Sequence, residues 1–194
     1  MTRSGALLVI SGTGGAGKGS VVDRLRQLHP ELWWSVSWAT RPPRPDERDG
    51  EHYWFRTRDE FEALRADGGF LEWADVYGVL KGTPKAPLLE ALAAGHDALL
   101  EMDVQGAHSV SAVYPDAHVV FIVAPSRAVQ EQRLEGRGTD GRADIAARLD
   151  AAAAEEAAAR AAGFTVIVND DLDHVVGEVA AILDTLRSGA PPSP

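Results

Sequence analysis

A glycine-rich stretch near the start of the chain combines residue types that suit phosphate binding. Residues 12–20 read Gly-Thr-Gly-Gly-Ala-Gly-Lys-Gly-Ser. Glycines let successive backbone N–H groups converge on an anion without hindrance from a Cβ atom. Lys18 adds a cation for the outer phosphates of a nucleotide, and the hydroxyl of Ser20 can reach a Mg²⁺ ion. The residues predicted to surround the phosphates with their backbone are Gly12, Gly14, Gly15, Ala16, Gly17 and Gly19.

The same glycines also match the spacing of a dinucleotide-binding loop, in which an acidic residue follows about twenty positions later. Residues 35–38 read Ser-Val-Ser-Trp and offer no carboxylate. A glycine turn with a surface lysine is the plainest alternative. However, the apolar run at 6–10 and the helical pattern at 21–25 flank the loop as strand and helix. Strand, loop and helix in this order favour a phosphate-binding loop.

The charge pattern limits the partners of the protein. The net charge of −10 at pH 7 argues against general binding to nucleic acid or to an anionic membrane. Any positive charge for a phosphate must therefore be local. Basic residues do cluster, and although solvated surface positions are their usual fate, we expect these clusters to contact a ligand. They are Arg41, Arg44 and Arg48, then Lys81 and Lys85, then Arg133, Arg137, Arg142 and Arg148.

Length and composition indicate one globular domain with an insertion. The chain has 194 residues, 45% of them hydrophobic, which is enough for a substantial core. Cysteine is absent, which excludes disulfides and thiolate metal sites. The apolar run at 6–10 is too short for a signal peptide or a membrane span, so we expect a cytoplasmic protein.

Hydrophobic periodicity predicts a doubly wound α/β fold with a parallel sheet and helices on both faces. A region from about 33 to 88, with short strands and a capped helix after Thr57, differs in texture and is predicted to be a small mixed α/β insertion. Strands are predicted at 6–10, 32–38, 53–55, 70–74, 76–80, 97–103, 118–123 and 164–168. Helices are predicted at 21–28, 57–64, 87–94, 127–134, 143–162 and 172–186.

A series of motifs continues after the loop at 12–20 over nearly the full length of the chain. They are Ser35-Val36-Ser37, Thr40-Arg41-Pro42-Pro43-Arg44-Pro45, Asp49-Gly50, Tyr53, Leu71-Glu72-Trp73-Ala74, Gly82-Thr83-Pro84, Asp103-Val104-Gln105-Gly106, Arg133-Leu134-x-Gly136-Arg137-Gly138-Thr139 and Val168-Asn169-Asp170-Asp171. Such a series in one order is far more specific than the loop alone. It resembles the guanylate kinases, P-loop kinases that transfer a phosphoryl group from ATP to GMP in purine nucleotide metabolism.

The resemblance implies roles for individual residues, including catalytic roles for Lys18 and several arginines. The phosphate of GMP would be held by Arg41, Arg44, Tyr53 and Lys81. Guanine would be read by Ser37, Glu72, Thr83 and Asp103. The transferred phosphoryl group would be clamped by Arg133, Arg137 and Arg148, and adenine would lie near Asn169. Mg²⁺ would be held by Ser20 and Glu101.

The resemblance also implies a division of the chain. Residues 1–32, 89–135 and 149–188 would form the core, 33–88 the GMP-binding subdomain, 136–148 a lid over ATP, and 189–194 a disordered tail. The expected partners are ATP and GMP, without nucleic acid or membrane, and the expected state is a monomer or a small homo-oligomer. For some residues an ordinary structural role remains open: Asp103 as a helix cap, Tyr53 as a core residue, and Glu72 as a strand-edge carboxylate.

One departure from the family pattern bears on the acceptor. Residues 79–81 read Val-Leu-Lys where the family has Asn-Tyr-Tyr, so Lys81 replaces a neutral donor with a cation. Two alternatives stay open. The first is a related kinase for another phosphorylated acceptor, such as a non-standard nucleotide or ribose bisphosphate. The second is a guanylate-kinase-like interaction module without activity, a class that typically has a degraded phosphate loop.

Overall fold

A computed structural model describes residues 4–76, 78–137 and 141–188 of the chain. Strands and helices alternate along it. The strands are β1 Leu7–Gly12, β2 Trp33–Trp34, β3 Trp38–Ala39, β4 Trp54–Phe55, β5 Phe70–Val76, β6 Val79–Pro84, β7 Ala98–Glu101, β8 His118–Val123 and β9 Thr165–Val168. The helices are α1 Lys18–Leu28, α2 Arg58–Ala66, α3 Lys85–Ala93, α4 Val104–Val113, α5 Arg127–Arg137, α6 Arg142–Ala161 and α7 Leu172–Ser188.

The main sheet is parallel and has the strand order β2-β7-β1-β8-β9. Its central strand β1 is buried along its whole length, as expected of a strand covered on both faces. Leu7 and Val9 point into one apolar cluster, which includes residues of α3, α4 and α6. Leu8 and Ile10 point into the other, which includes residues of α1 and α7. The predicted parallel α/β core is therefore confirmed.

The second sheet is smaller and mixed, with the order β4-β3-β6-β5. Its strands β5 and β6 pair antiparallel, whereas β3 and β4 pair parallel. Helix α2 begins at the predicted capping box of Thr57 and Glu60, and packs on this sheet through Phe61. Phe61 stacks on Phe70 with their ring centroids 4.3 Å apart, and Leu80 completes this small core. This unit places the residues of its sheet beside the carboxyl ends of the main strands.

Three sequence-based expectations require correction. The single strand predicted at 32–38 is two strands, because Trp33–Trp34 pairs with β7 in the main sheet and Trp38–Ala39 pairs with β6 in the second. Residues 33–34 thus belong with the main sheet and not with the insertion. The predicted boundary at residue 88 divides α3, whose Leu88 and Leu92 lie in the main core. The aromatic residues at 32–38 indicated an extended chain, but they did not indicate which sheet each part of it would join.

Helix α4 was not predicted. Its buried face consists of Gly106, Ala107 and Val110, which give little hydrophobic periodicity. Gly106 packs closely there, because a Cβ atom would lie 3.1 Å from Cβ of Met102. Close packing of a small-residue face therefore replaces the larger apolar stripe on which helix prediction depends.

The proposed lid falls mostly on helical residues, since α5 extends to Arg137 and α6 begins at Arg142. Leu134 of α5 packs against Ile145 and Leu149 of α6. Residues 138–140 and the predicted tail at 189–194 lie outside the described residues. In the described part of the chain, no helix combines the length and the hydrophobicity that a membrane span requires.

Candidate active site

The predicted phosphate loop connects β1 to α1 and has the backbone geometry that its glycines allow. Gly15 and Gly17 have φ angles of 80° and 88°, a region that favours glycine. A side chain at Gly17 would also collide with Nδ2 of Asn169. Gly17 is the N-cap of α1 and supplies no side-chain cap, so the first N–H groups of this helix stay available for an anion.

Side chains from two other elements hold the carbonyl groups of the loop. Nε2 of Gln130 donates to the oxygen of Gly14 at 2.6 Å. Nδ2 of Asn169 donates to the oxygen of Ala16 at 2.7 Å, and Nη1 of Arg133 donates to the same oxygen at 3.2 Å. Arg133 also donates from Nη2 to the backbone oxygen of Asn169 at 3.0 Å. These bonds fix the loop from its carbonyl side and so orient its amide groups.

This bracing assigns Asn169 and Arg133 a supporting position. The side chain of Asn169 is 4% exposed and bonded to the loop, and Arg133 is half-buried. Their predicted contacts with adenine and with the transferred phosphoryl group stay predictions. Gln130, 5% exposed, was missed in the sequence, although its position three residues before Arg133 places both on one face of α5.

A cavity of about 550 Å³ opens between the loop, the end of β7 and one face of α6. Nζ of Lys18 donates to the backbone oxygen of Met102 at 3.0 Å, which holds the ammonium at this opening. Arg148 approaches the loop closely, since a Cβ atom at Gly14 would lie 3.4 Å from its Nη1. The lining residues are Gly12, Thr13, Gly14, Gly15, Lys18, Gly19, Glu101, Asp103, Val104, Ala147, Arg148, Ala151 and Glu155.

Glu155 is a carboxylate of this cavity that the sequence analysis missed. It lies two helical turns after Arg148 and on the same face of α6. Burial raises its pKa, the nearby charge of Asp103 raises it further, and Lys18 and Arg148 oppose the shift. The spacing of seven residues between this arginine and this glutamate is visible in the sequence. Because alanines surround both residues, hydrophobic periodicity did not indicate which face of α6 would line a cavity.

The donor chemistry of the cavity fits a magnesium ion that is bound together with phosphates. Ser20 is exposed in the first turn of α1, and a Cβ atom at Gly19 would lie 4.0 Å from Oε1 of Glu101. Within the described residues, no group of three or more histidine, aspartate or glutamate side chains is arranged to hold a metal alone. Mg²⁺ commonly takes only one or two carboxylates and completes its shell with waters and phosphate oxygens. One hydroxyl and one carboxylate suit that role.

Three residues predicted to read guanine form a hydrogen-bonded chain on the second sheet. Oγ1 of Thr83 donates to Oε1 of Glu72 at 2.6 Å. Oγ of Ser37 lies 3.2 Å from Oγ1 of Thr83. Pairing of β5 with β6 places Glu72 opposite Thr83, and β3 brings the Ser37 region alongside. The structure thus brings together side chains that are far apart in sequence.

Burial raises the pKa of Glu72, the charge of Asp103 raises it further, and the hydrogen bond from Thr83 opposes the shift. Asp103 is the N-cap of α4, with Oδ1 accepting from the backbone N–H of Gly106 at 2.8 Å. Its helix-cap role is therefore real. Its charge also acts on both Glu72 and Glu155, so Asp103 lies between the second sheet and the cavity.

The residues predicted to hold the acceptor phosphate gather around one tyrosine ring. Nζ of Lys81 lies 3.5 Å from Oη of Tyr53 and 5.1 Å from the centroid of its ring. Cζ of Arg41 lies 5.5 Å from the same centroid. Two cations therefore flank Tyr53, and this tyrosine does not belong to the small apolar core of Phe61, Phe70 and Leu80. Arg44 has an exposed side chain at the edge of this group.

Glu47 joins this group and was missed in the sequence. Its carboxylate accepts from Nη1 and Nη2 of Arg41 at 2.5 and 2.6 Å, and from the backbone N–H of Arg44 at 2.9 Å. These bonds, led by the one from Arg41, lower the pKa of Glu47 to about 2. No periodicity marks a glutamate in a proline-rich loop, so the sequence carried no signal for this contact.

The side chain of Arg137, also predicted to be catalytic, lies outside the described part of the structure. Its backbone ends α5. Of the other predicted residues, the structure brings the loop, Lys18, Glu101, Asp103 and Arg148 into the cavity. It brings Ser37, Glu72 and Thr83 into one chain, and Arg41, Tyr53 and Lys81 into another cluster.

Comparisons with known proteins point in one direction. The family model described as guanylate kinase matches residues 4–186. A guanylate kinase of Carboxydothermus hydrogenoformans is 45% identical over 181 residues, covering 93% of this chain and 88% of that protein. One of Thermosynechococcus vestitus is 49% identical over 172 residues, covering 88% and 89%. A crystal structure of guanylate kinase from Anaplasma phagocytophilum has a TM-score of 0.73 at 30% identity, covering 96% of this chain and 88% of that one.

Proposed function

The chain belongs to the guanylate kinase family, and from that premise we propose that it transfers the γ-phosphoryl group of ATP to GMP, giving ADP and GDP. It is a nucleoside monophosphate kinase in this account, acting in purine nucleotide metabolism. The proposed substrates are small nucleotides, so the reaction needs neither nucleic acid nor a membrane. We place the activity in the cytoplasm, in a monomer or a small homo-oligomer.

The observation that carries the proposal is the hydrogen-bonded chain of Ser37, Thr83 and Glu72. Guanine presents N1–H and N2–H₂ as donors, which Glu72 can accept, and O6 as an acceptor. The hydrogen of Thr83 goes to Glu72, so the hydroxyl of Ser37 would donate to O6 by turning away from Thr83. Adenine would turn a lone pair toward Glu72 and give the carboxylate no donor from the base, so that Thr83 would serve Oε1 while Oε2 faced an acceptor. Sites that leave buried polar groups unpaired discriminate by about 10⁴-fold. The chain thus suits guanine.

The phosphate of GMP would extend from this chain toward Arg41, Tyr53 and Lys81, which surround one another on the same subdomain. Arginine binds phosphate oxygens in pairs, and lysine adds a point charge. Lys81 gives this cluster a cation where the family pattern has a tyrosine. A dianionic phosphate is the acceptor that such a cluster stabilises best.

ATP would be held in the cavity beside the glycine loop. The braced loop offers its amides and the N-terminus of α1 to the β- and γ-phosphates, and Lys18 lies at the same opening. Arg148 approaches from α6 to the edge of the loop. Asp103 stands between this cavity and Glu72, so the donor and acceptor halves adjoin each other.

The reaction needs no general base, because the attacking phosphate oxygen is already anionic. The difficulty is to bring two polyanions together in line. Lys18, Arg148 and the cations around Tyr53 would neutralise that charge from both sides, and Arg133 and Arg137 would act from α5. Contact between α6 and the subdomain would exclude water and so limit hydrolysis of ATP. Ser20 and Glu101 would hold Mg²⁺, which would supply charge neutralisation at the phosphates.

Product analysis tests the proposal. The purified protein is incubated with Mg²⁺, GMP and ATP labelled at the γ-phosphate, and the nucleotides are separated. We expect the label to appear in GDP in the same amount as the ADP that forms. Label that appears only as inorganic phosphate, with GMP unchanged, would show an ATPase and would overturn the proposal.

A further inference from the structure

The contact between Glu47 and Arg41 has a specific geometry. Both terminal nitrogens of Arg41 donate to Glu47, Nη1 to Oε2 and Nη2 to Oε1. This is an end-on, bidentate pair, and such pairs add geometric specificity as well as energy. The side chains are only 16% and 15% exposed, so solvent competes little for these bonds.

Counting the donors of Arg41 shows which of them are left for a ligand. A guanidinium has five N–H groups. Glu47 takes one from Nη1 and one from Nη2, and the backbone oxygen of Pro42 accepts from Nη1 at 3.0 Å. Within the described residues, the remaining Nη2–H and the Nε–H have no protein acceptor. These two donors lie on one edge of the guanidinium and form a fork that matches two phosphate oxygens.

Glu47 also fixes the loop that carries this arginine. Its Oε2 accepts from the backbone N–H of Arg44, so one carboxylate connects the positions of Arg41 and Arg44. The ring of Tyr53 limits the guanidinium from one side, with Cζ of Arg41 5.5 Å from its centroid. The plane of the guanidinium is thus set before a ligand arrives.

We infer that Glu47 is a positioning residue, which turns the Nε and Nη2 edge of Arg41 toward the phosphate of the acceptor nucleotide. The inference rests on the proposed function, since it assumes that Arg41 contacts that phosphate. Glu47 itself does not touch the substrate. It affects binding of the acceptor nucleotide through the orientation of Arg41. It should therefore change contacts with the phosphate and not contacts with the base.

The test compares Glu47→Gln and Glu47→Ala with the wild-type protein, with Glu51→Gln as the matched control. Glu51 lies in the same loop, and among the residues that the structure describes its carboxylate pairs only with exposed Arg48, at 3.4 Å. The readouts are KM for GMP, KM for ATP, kcat, and the inhibition constant of guanosine, which has the base but no phosphate. Thermal melting checks that each variant folds.

We expect Glu47→Gln to raise KM for GMP by about tenfold, as a misplaced positioning group does. The inhibition constant of guanosine and KM for ATP should stay within twofold of wild type. Glu47→Ala should have the larger effect of the pair, and Glu51→Gln should have none. In an Arg41→Lys background, Glu47→Gln should add little, because lysine has no fork to orient.

Several results would overturn the inference alone. An unchanged KM for GMP would show that orientation is unimportant, and a lower one would show that Glu47 competes with the phosphate. Equal weakening of GMP and guanosine would reveal a general role in folding the loop. If the wild-type protein does not phosphorylate GMP at all, the proposed function falls first and this inference falls with it.

Discussion

Oγ1 of Thr83 donates a hydrogen bond of 2.6 Å to Oε1 of Glu72 across the antiparallel strands of the acceptor subdomain. This bond partly offsets the burial of the Glu72 carboxylate, whose pKa nevertheless stays above its ordinary value. Burial therefore disfavours the negative charge of the ionised carboxylate in the free protein. Donors on a bound base can stabilise that charge, which connects the stability of the subdomain with its selectivity.

The first prediction concerns Glu72→Gln. An amide can still accept from Thr83, but its nitrogen faces the donors of guanine, so we expect kcat/KM for GMP to fall by about 10²-fold. Activity with AMP should change little. A steady-state assay with both acceptors measures this, and an unchanged ratio of GMP to AMP would show that Glu72 does not read the base.

The second prediction concerns the stability of the same variant. Folding raises the pKa of Glu72. As the pH rises from the ordinary glutamate pKa through the raised one, ionisation of Glu72 therefore lowers the stability of the folded protein. Below that window the wild-type protein and Glu72→Gln should melt alike. Above it the variant should melt higher. Melting curves across the acidic to neutral range measure the difference, and a variant that melts lower at neutral pH would contradict the burial argument.

The third prediction concerns Lys18→Ala. The ammonium of Lys18 lies at the opening of the donor cavity through its bond to Met102, so its loss should lower kcat by at least about 10²-fold with the fold intact. Lys85→Ala is a suitable control, because Nζ of Lys85 bonds to the backbone oxygen of Gly68, away from the cavity. Near-normal turnover by Lys18→Ala, with a normal melting temperature, would refute the assignment of the loop.

The fourth prediction concerns Lys81→Met, which keeps most of the length of the side chain and removes its charge. Nζ of Lys81 lies beside Oη of Tyr53, so we expect KM for GMP to rise by about three- to tenfold. Salt should weaken GMP binding by the wild-type protein more than by the variant, because it screens charges that are not fully buried. Kinetics at low and high ionic strength test this. An equal salt response in both proteins would place Lys81 away from the phosphate.

The fifth prediction concerns Asn169→Ala. Its buried amide donates to the loop oxygen of Ala16, and its removal leaves only the longer bond from Arg133. We expect the free energy of unfolding to fall by about 1–3 kcal/mol. KM for ATP should be higher than that of the wild-type protein, and KM for GMP should change little. Asp170→Ala, at the exposed neighbouring position, is the control. Denaturant unfolding and donor titrations measure both effects.

Local signals in the sequence predicted much of the fold. The phosphate loop, the capping box at Thr57 and Glu60, and the apolar strand His118–Val123 were each visible in short stretches of chain. Such features depend on residues close in sequence, so their structure follows from local chemistry. The resemblance to a family added the constellation of Ser37, Glu72 and Thr83, which no local pattern connects.

What the sequence did not predict depends on pairing and packing between distant segments. Trp33–Trp34 and Trp38–Ala39 are similar in composition yet pair in different sheets. Helix α4 packs through small residues and so lacks a clear stripe. Glu47 and Glu155 become part of the site only because a loop folds back on Arg41 and because α6 covers the cavity. The predicted contact of Asn169 with adenine stays a prediction, and its bond to Ala16 emerges only from the folded chain.

The most direct test of the account is the acceptor preference of the wild-type protein. With ATP and Mg²⁺ fixed, kcat/KM is measured for GMP, AMP, CMP and UMP in a coupled assay that reports ADP. Because Ser37, Thr83 and Glu72 match the donors and acceptor of guanine, GMP should exceed each of the others by at least about 10³-fold. If GMP is used no faster than AMP, CMP or UMP, guanine recognition by this site is wrong.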